Sequence, residues 1–274
     1  MAKPRPVEIR VADGVFLRTR VLGGRGAHIW FLHGFGESGL CFREAFEAGR
    51  LKGHSLFAPD CPGFGASPAP AKPPTVKDSA RTIEGLIRRF SRGKRLVLVG
   101  HSLGGILGTY LCESLGRNVL GFVSVEGNLT RADTFYTSQA SGVRDPVSWK
   151  REFCRAILLR SHAQGREDRA MIRYLASLMM ADPRAFVSWG RSCVSETGRT
   201  KSGDRFLALG CPRTYFYGRR SIPPATERYL RERLTGGGPT VPAVEFRASG
   251  HWPMYDETEV FYKRLSEFIA AIRK

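Results

Sequence analysis

The chain has 274 residues, of which 42% are hydrophobic, so it is long enough to bury a sizeable core and has an ordinary globular composition. Its net charge is +18, but the Lys and Arg residues are spread along the chain, without a long basic block or a nucleic-acid-binding motif. We therefore expect mostly solvated charge and no nucleic-acid partner. The positive electrostatic field of the protein could also favour an acidic partner, and an acidic carrier protein is kept as an alternative.

The sequence also argues against membrane, secreted and metal-cluster classes. No apolar run reaches the roughly 20 residues of a membrane span, and the first eight residues have no apolar stretch of the kind a secretory signal requires. The six cysteines are scattered and include no C-x-x-C pair, which argues against a metal cluster or a dense disulfide framework. The simplest interpretation is a reducing, cytoplasmic setting.

The first half of the chain alternates strand and helix signals. Polar–apolar alternation around Asp13-Gly14 predicts a β-hairpin over residues 7–20. Apolar runs and helical spacing then predict strands at 28–32, 55–58, 96–99 and 120–125, and helices at 40–51, 75–90 and 106–115. This order predicts an α/β protein whose mostly parallel sheet is covered by helices, with antiparallel strands at the N-terminal edge.

The pattern changes in the middle of the chain and then returns. Helical stretches without strand signals are predicted at 147–160, 166–180 and 183–194. Alternation resumes with strands at 213–217 and 241–246 and helices at 225–234 and 257–272. The organisation predicted is a core over residues 1–130, a helical cap over 131–205, and the rest of the core over 206–274.

The most informative motif is G-x-S-x-G at residues 100–104, directly after a predicted buried strand. Gly100 and Gly104 lack a Cβ, so the strand and the following helix can approach closely and hold Ser102 out at the end of the sheet. A serine hydroxyl needs an adjacent base to act as a nucleophile. His251 follows the last predicted strand and is therefore expected at the same edge of the sheet, where it would serve as that base.

Attack by Ser102 on an acyl group would place a negative charge on oxygen, which two N–H donors must stabilise. We expect one donor to be the backbone of Leu103, immediately after the serine. The other is expected in the Gly-rich loop 33–36, with the backbone of Phe35 as the candidate.

Together these motifs resemble the α/β-hydrolase fold superfamily, of the lipase, esterase and cap-bearing hydrolase type. The matching stretches stand in family order at residues 33–36, 59–67, 100–105 and 250–253. The resemblance implies the α/β-hydrolase fold with a helical cap, serine-hydrolase chemistry and no metal or organic cofactor.

The chain departs from the family pattern at the acid of the catalytic triad. The family usually carries this acid on the loop after the next-to-last strand, but here the expected position is Ser221. Glu126, at the end of the strand that follows the Ser102 strand, is the preferred replacement, since some superfamily members place the acid there. Asp60 is the alternative acid.

The substrate pocket is expected between Ser102 and the helical block. The residues predicted to bind substrate are His33, His101, Trp149, Trp189 and Trp252, and Glu37 is expected to lie close to the site. Other apolar candidates are Phe35, Phe135, Tyr136, Phe153, Met179, Met180 and Phe186, although such residues at helical spacing more often form core.

The sequence thus predicts a serine hydrolase that cleaves carboxylic esters or thioesters through an acyl-enzyme. Ser102 stands where dehalogenases and epoxide hydrolases need a carboxylate, which argues against both. Two alternatives stay open: a carbon–carbon bond hydrolase or acyl-carrier thioesterase using the same triad, and a non-catalytic ligand-binding homologue.

Overall fold

The fold is built around one eight-stranded sheet. In this computed structural model, the described residues are 7–10, 14–20, 26–47, 49–163, 169–198, 201–234 and 241–272. The strands are β1 (Val7–Arg10), β2 (Phe16–Arg20), β3 (His28–Leu32), β4 (Ser55–Pro59), β5 (Leu96–His101), β6 (Val119–Val125), β7 (Arg213–Gly218) and β8 (Ala243–Phe246).

The strand order across the sheet is β1-β2-β4-β3-β5-β6-β7-β8. β1 pairs antiparallel with β2, and β2 antiparallel with β4, whereas every pair from β4 to β8 is parallel. The predicted mostly parallel sheet with an antiparallel N-terminal edge is therefore confirmed, as is the hairpin pairing. Asp13 of the predicted hairpin turn lies outside the described residues.

The central strands are apolar because helices cover both sides of them. All six residues of β5 are buried, as are all five of β4. Such continuous apolar runs are typical of parallel strands. Because parallel strands end at one common edge, the residues that follow β3, β5, β6, β7 and β8 are brought together there.

The helices follow the predicted order. They are α1 (Arg43–Glu47), α2 (Val76–Phe90), α3 (Leu103–Leu115), α4 (Pro146–Ala163), α5 (Arg169–Met180), α6 (Pro183–Gly198), α7 (Ser202–Leu207), α8 (Pro224–Tyr229), α9 (Pro253–Asp256) and α10 (Thr258–Ala271). Thr75 caps α2 reciprocally with Asp78, since each side chain accepts the other's backbone N–H. No helix among the described residues is long and apolar enough to cross a membrane.

Two predicted helices are shorter or less regular than expected. The predicted helix 40–51 is a 3₁₀ turn at Gly39–Phe42 followed by the five-residue α1. Gly49 has a φ of 63°, which lies outside the right-handed helical region and ends the segment. The predicted helix 225–234 is α8 followed by a π-helical turn at Leu230–Leu234.

Helices α4 to α7 lie between β6 and β7 in the chain, where the helical cap is predicted. Within this segment α4 packs against α5 and α6, while α6 also contacts α2 and α3 of the sheet layer. The segment thus covers the sheet beside the strand ends that carry the candidate site. Its standing as a separate domain with the boundaries 131 and 205 stays a prediction.

Candidate active site

Ser102 lies on a tight turn between β5 and α3. Its φ is 52°, a left-handed conformation that non-glycine residues rarely adopt, and its N–H donates to the carbonyl of Val125 over 2.8 Å. A Cβ on Gly100 would lie 2.2 Å from the carbonyl oxygen of Gly104, and one on Gly104 would lie 2.2 Å from that of Leu32. The predicted need for glycine at both positions is therefore confirmed.

His251 lies on the loop between β8 and α9 and is oriented by a carboxylate. Its Nδ1 is 3.0 Å from Oε2 of Glu126. Glu126 immediately follows β6, has a φ of 50°, and donates its N–H to the carbonyl of Phe216 over 2.8 Å. The side chain of Glu126 is 6% exposed and that of His251 31% exposed, so the carboxylate is shielded while the imidazole reaches the cleft.

The end of β7 and the loop after it hold the Glu126 carboxylate in place. The N–H of Gly218 donates to Oε1 over 2.5 Å, and the hydroxyl of Ser221 donates to Oε2 over 3.1 Å. Ser221 occupies the position where the family resemblance predicts an acid. The loop therefore supplies donors to a carboxylate that comes from the neighbouring strand end.

Asp60, the alternative acid, lies elsewhere and has other partners. Its Oδ1 accepts the N–H of Gly39 over 2.6 Å, and its Oδ2 accepts the N–H of Ala66 over 2.9 Å. A Cβ on Gly65 would lie 2.3 Å from the same Oδ2. These contacts shape the loop after β4, and no contact between Asp60 and His251 is found among the described residues.

The two candidate oxyanion donors lie on either side of the serine. Leu103 is the first residue of α3, where a backbone N–H has no partner within its own helix. Phe35 follows Gly34, which is so close to the serine that a Cβ on Gly34 would lie 2.9 Å from Cβ of Ser102. Within the described part of the chain, neither the Phe35 N–H nor the Leu103 N–H has a hydrogen-bond acceptor.

Ser102 and His251 line one cleft but form no hydrogen bond with each other in the described structure. Such bonds are often long in ligand-free enzymes and shorten when substrate binds. The cleft has a volume of about 1020 Å³, which is large enough for a drug-sized molecule.

Several predicted pocket residues line this cleft, and the structure adds others. The predicted ones are Phe35, Glu37, His101, Phe135, Tyr136 and Trp252. Those not anticipated include Asn128, Asp133, Arg160, Arg169, Met171, Tyr174, Arg220 and Tyr255. Arg160, Arg169, Met171 and Tyr174 belong to α4 and α5, whose packing orients their side chains, and the others lie on segments that follow β6, β7 and β8. Local sequence patterns carry no signal for the orientation of the α4 and α5 side chains.

His33, Trp149 and Trp189 were predicted to bind substrate, but the structure places them away from the cleft. His33 and Trp189 are completely buried and stack on each other, and Nε1 of Trp189 donates to the hydroxyl of Ser79 over 3.0 Å. Trp149 stacks on the buried Phe186 inside the helical segment. These side chains fill the layer between helices and sheet, as aromatic residues at helical spacing usually do.

Four other apolar candidates also lie outside the cleft lining. Phe153 and Phe186 are buried in the same aromatic layer, whereas Met179 and Met180 are mostly exposed at the end of α5. The apolar pocket wall is therefore smaller than the sequence suggests. Polar and charged side chains form much of the remaining lining.

A buried carboxylate–imidazole pair, Glu37 and His101, contacts the backbone of His251. Oε2 of Glu37 is 2.8 Å from Nδ1 of His101, whose Nε2 is 2.8 Å from the carbonyl oxygen of His251. His101 and its hydrogen bonds lower the pKa of Glu37 to about 2, against the opposing effect of burial. The charge of Glu37 and the hydrogen bonds to His101 raise the pKa of His101, although burial opposes this shift as well.

Comparison with known proteins agrees with this arrangement of strands and turns. Residues 31–264 match the model of the alpha/beta hydrolase family, and this chain therefore belongs to that family. The match covers the turn that carries Ser102, the end of β6 with Glu126 and the loop that carries His251.

Individual relatives carry esterase names. A probable esterase, PIR7A, from Oryza sativa subsp. indica is 38% identical over 82 residues, which are 30% of this chain and 31% of that protein. This chain thus matches less than a third of that relative's length.

Solved structures share the fold along nearly the whole chain. A putative aryl esterase from Burkholderia cenocepacia has a TM-score of 0.73 and 23% identity, covering 98% of this chain and 99% of that one. A thermophilic esterase from Thermogutta terrifontis has a TM-score of 0.72 and 17% identity, covering 98% and 100%.

Proposed function

We propose that this protein is a serine hydrolase that cleaves carboxylic esters or thioesters through an acyl-enzyme. The observation that carries the proposal is the 3.0 Å contact between His251 and Glu126 in the cleft that Ser102 also lines. A nucleophile, a base and an oriented carboxylate at one sheet edge are the parts that acyl transfer needs.

In the first step, Oγ of Ser102 attacks the acyl carbon of the substrate and its proton passes to Nε2 of His251. Substrate binding must first bring these two atoms into hydrogen-bond distance. Glu126 accepts the Nδ1–H of His251, which fixes the tautomer and stabilises the imidazolium that forms. The N–H groups of Phe35 and Leu103 stabilise the oxyanion.

In the second step, the oxyanion collapses, the bond to the leaving alcohol or thiol breaks, and His251 returns its proton to that leaving group. A water molecule then attacks the acyl-Ser102 ester while His251 removes its proton. The carboxylic acid is released and the Ser102 hydroxyl is restored.

The names of the relatives support ester bonds as the target. The rice relative is called a probable esterase, and the two solved structures are described as esterases. The cleft offers both aromatic and charged lining, so a panel of esters and thioesters of varied acyl length is the direct way to define the substrate.

The decisive experiment is labelling of the folded protein with a fluorophosphonate probe, followed by peptide mapping. We expect one adduct on Ser102 and complete loss of labelling in Ser102→Ala. Ser67→Ala is the matched control, because Ser67 is also a buried serine but does not line the cleft; its hydroxyl accepts the N–H of Phe16 over 2.8 Å and donates to the carbonyl of Asp60 over 2.6 Å. A folded wild-type protein that is not labelled at Ser102 would contradict the proposal and favour a ligand-binding homologue.

A further inference from the structure

The histidine inside the G-x-S-x-G motif has surroundings unlike those of any other histidine in the described structure. His101 and Glu37 are 1% and 3% exposed and form a buried pair, and Nε2 of His101 is 2.8 Å from the carbonyl oxygen of His251. The ring centroids of His101 and His251 are 4.8 Å apart. The triad proposed above gives neither His101 nor Glu37 a part in the reaction.

The hydrogen-bond partners define the charge of this pair. The Glu37 carboxylate accepts three N–H groups, from Gly34 over 2.7 Å, from Trp252 Nε1 over 2.6 Å and from His101 over 2.8 Å, as an ionised carboxylate does. The other partner of His101 is a backbone carbonyl, which is also only an acceptor. Both ring nitrogens of His101 must therefore donate, so the ring is a buried imidazolium.

His33 shows the opposite case with the same reasoning. Its Nδ1 donates to the carbonyl of Gly34 over 2.9 Å, while its Nε2 accepts the N–H of Cys61 over 2.9 Å. One donor and one acceptor role define a neutral ring. In agreement, burial lowers the pKa of His33, whereas Glu37 and its hydrogen bond raise the pKa of His101.

The pair connects the three segments that carry the site. Glu37 binds the N–H of Gly34, next to the candidate oxyanion donor, and the indole of Trp252, next to His251. His101 directly precedes Ser102 and holds the backbone of His251. A charge-assisted network of this kind is stronger and more directional than neutral hydrogen bonds.

We propose that Glu37 and His101 are positioning residues: the Glu37 carboxylate keeps both nitrogens of His101 protonated, and His101 uses its second N–H to fix the backbone of His251 beside Ser102. This inference rests on the proposed function for its catalytic consequence, but not for the charge state of His101. Neither residue touches the reacting atoms in this mechanism.

The charge of His101 also acts on the base. The groups that face His101 are Glu37, Glu126, His33 and His251; the two carboxylates favour its charge, whereas the His33 ring is neutral. A cation beside His251 repels the positive charge that this ring gains when it accepts the proton of Ser102. Loss of this cation is therefore expected to change the pH profile of kcat/KM.

The first test is nitrogen NMR of the imidazole rings in the wild-type protein. At neutral pH, both nitrogens of His101 are expected to show the shifts of protonated nitrogens, whereas His33 shows one protonated and one unprotonated nitrogen. In Glu37→Gln, His101 is expected to lose one of its protons. A neutral His101 in the wild-type protein would overturn the proposal whatever the enzyme's activity.

The second test is the pH dependence of ester hydrolysis by Glu37→Gln. We expect kcat to fall about tenfold or more with KM changed less than about threefold, and the pH profile of kcat/KM to differ from that of the wild-type protein. Glu196→Gln is the matched control, because Glu196 is a buried carboxylate that binds Arg205 and Tyr110 away from the cleft. That variant is expected to keep the wild-type pH profile.

The outcomes separate the two proposals. Wild-type labelling at Ser102 with unchanged kinetics and an unchanged pH profile in folded Glu37→Gln would overturn the positioning role alone. Absence of labelling in the wild-type protein would overturn the proposed function and, with it, the catalytic consequence of the pair. A shifted profile in Glu37→Gln but not in Glu196→Gln supports the proposal.

Discussion

At the scale of single residues, the site depends on side chains held in backbone conformations that few residues adopt. Ser102 and Glu126 are two of the three non-glycine residues with positive φ in the described part of the chain. Such strain is costly and persists where the surrounding structure enforces it, often at functional sites. Both residues follow neighbouring parallel strands, and the Ser102 N–H bonds the residue that precedes Glu126.

The first residue-scale prediction compares the two carboxylates considered for the triad. Glu126→Gln removes the charge that stabilises the His251 imidazolium and is expected to lower kcat by about a thousandfold or more. Asp60→Asn changes a residue that accepts backbone N–H groups of its own loop and is expected to cost stability with a much smaller loss of kcat. Steady-state kinetics on one ester and urea unfolding measure both effects. The reverse ranking of the kcat values would assign the acid to Asp60.

At the scale of elements, close approach of β3, β5 and α3 depends on glycine. Gly104→Ala would put a Cβ 2.2 Å from the carbonyl oxygen of Leu32. The atoms nearest to this Cβ all belong to the backbone of Leu32 and His33, so no flexible side chain can move to relieve the clash. We expect this variant to unfold at clearly lower urea concentration, or to fail to fold, because the strand and helix must separate.

A matched control exists on α2. Gly85 is exposed within this helix, and a Cβ there has no heavy atom within 4 Å, so Gly85→Ala is expected to stabilise the protein by roughly 1 kcal/mol. The same substitution therefore has opposite signs at two helical glycines. Urea unfolding of both variants measures the difference in the free energy of unfolding. Destabilisation by Gly85→Ala would show that the space around the added Cβ does not decide whether the substitution stabilises or destabilises the protein.

The comparison between sequence and structure also belongs to this scale. Elements with strong local signals, such as β5 or the capped α2, were predicted to within a few residues. Ser102, His251 and Glu126 were placed at one edge because parallel strands end together. The cleft lining contributed by α4 and α5 was not predictable, because it depends on how long-range helix packing orients each side chain. The aromatic residues Trp149 and Trp189 follow a core pattern that cannot be told from a pocket pattern by spacing alone.

At the scale of the whole molecule, the buried Glu37–His101 pair makes stability depend on pH. The folded-state pKa of Glu37 is about 2, below its ordinary value of 4.5, so its contribution is present above about 4.5 and is lost as pH falls towards 2. The folded-state pKa of His101 is raised from 6.5, so its contribution is complete below 6.5 and is lost as pH rises through the raised value.

We therefore expect the free-energy difference of unfolding between wild type and Glu37→Gln to be greatest at mildly acidic pH. It should shrink as pH falls below the ordinary pKa of the carboxyl and again as pH rises well above neutrality. Urea unfolding over a pH series gives this curve. A difference that does not change with pH would mean that the substitution acts through packing and not through charge.

The support of Glu126 by the loop after β7 has a consequence for how this enzyme can diversify. Glu126 directly follows β6, while the end of β7 and the loop after it contribute only the N–H of Gly218 and the hydroxyl of Ser221. The side chains at positions 219, 220, 222 and 223 therefore have no part in holding the triad acid. Two of them, Arg220 and Pro223, line the cleft. Random libraries restricted to these four positions are expected to alter substrate preference more often than they abolish turnover, which makes the loop a practical starting point for directed evolution.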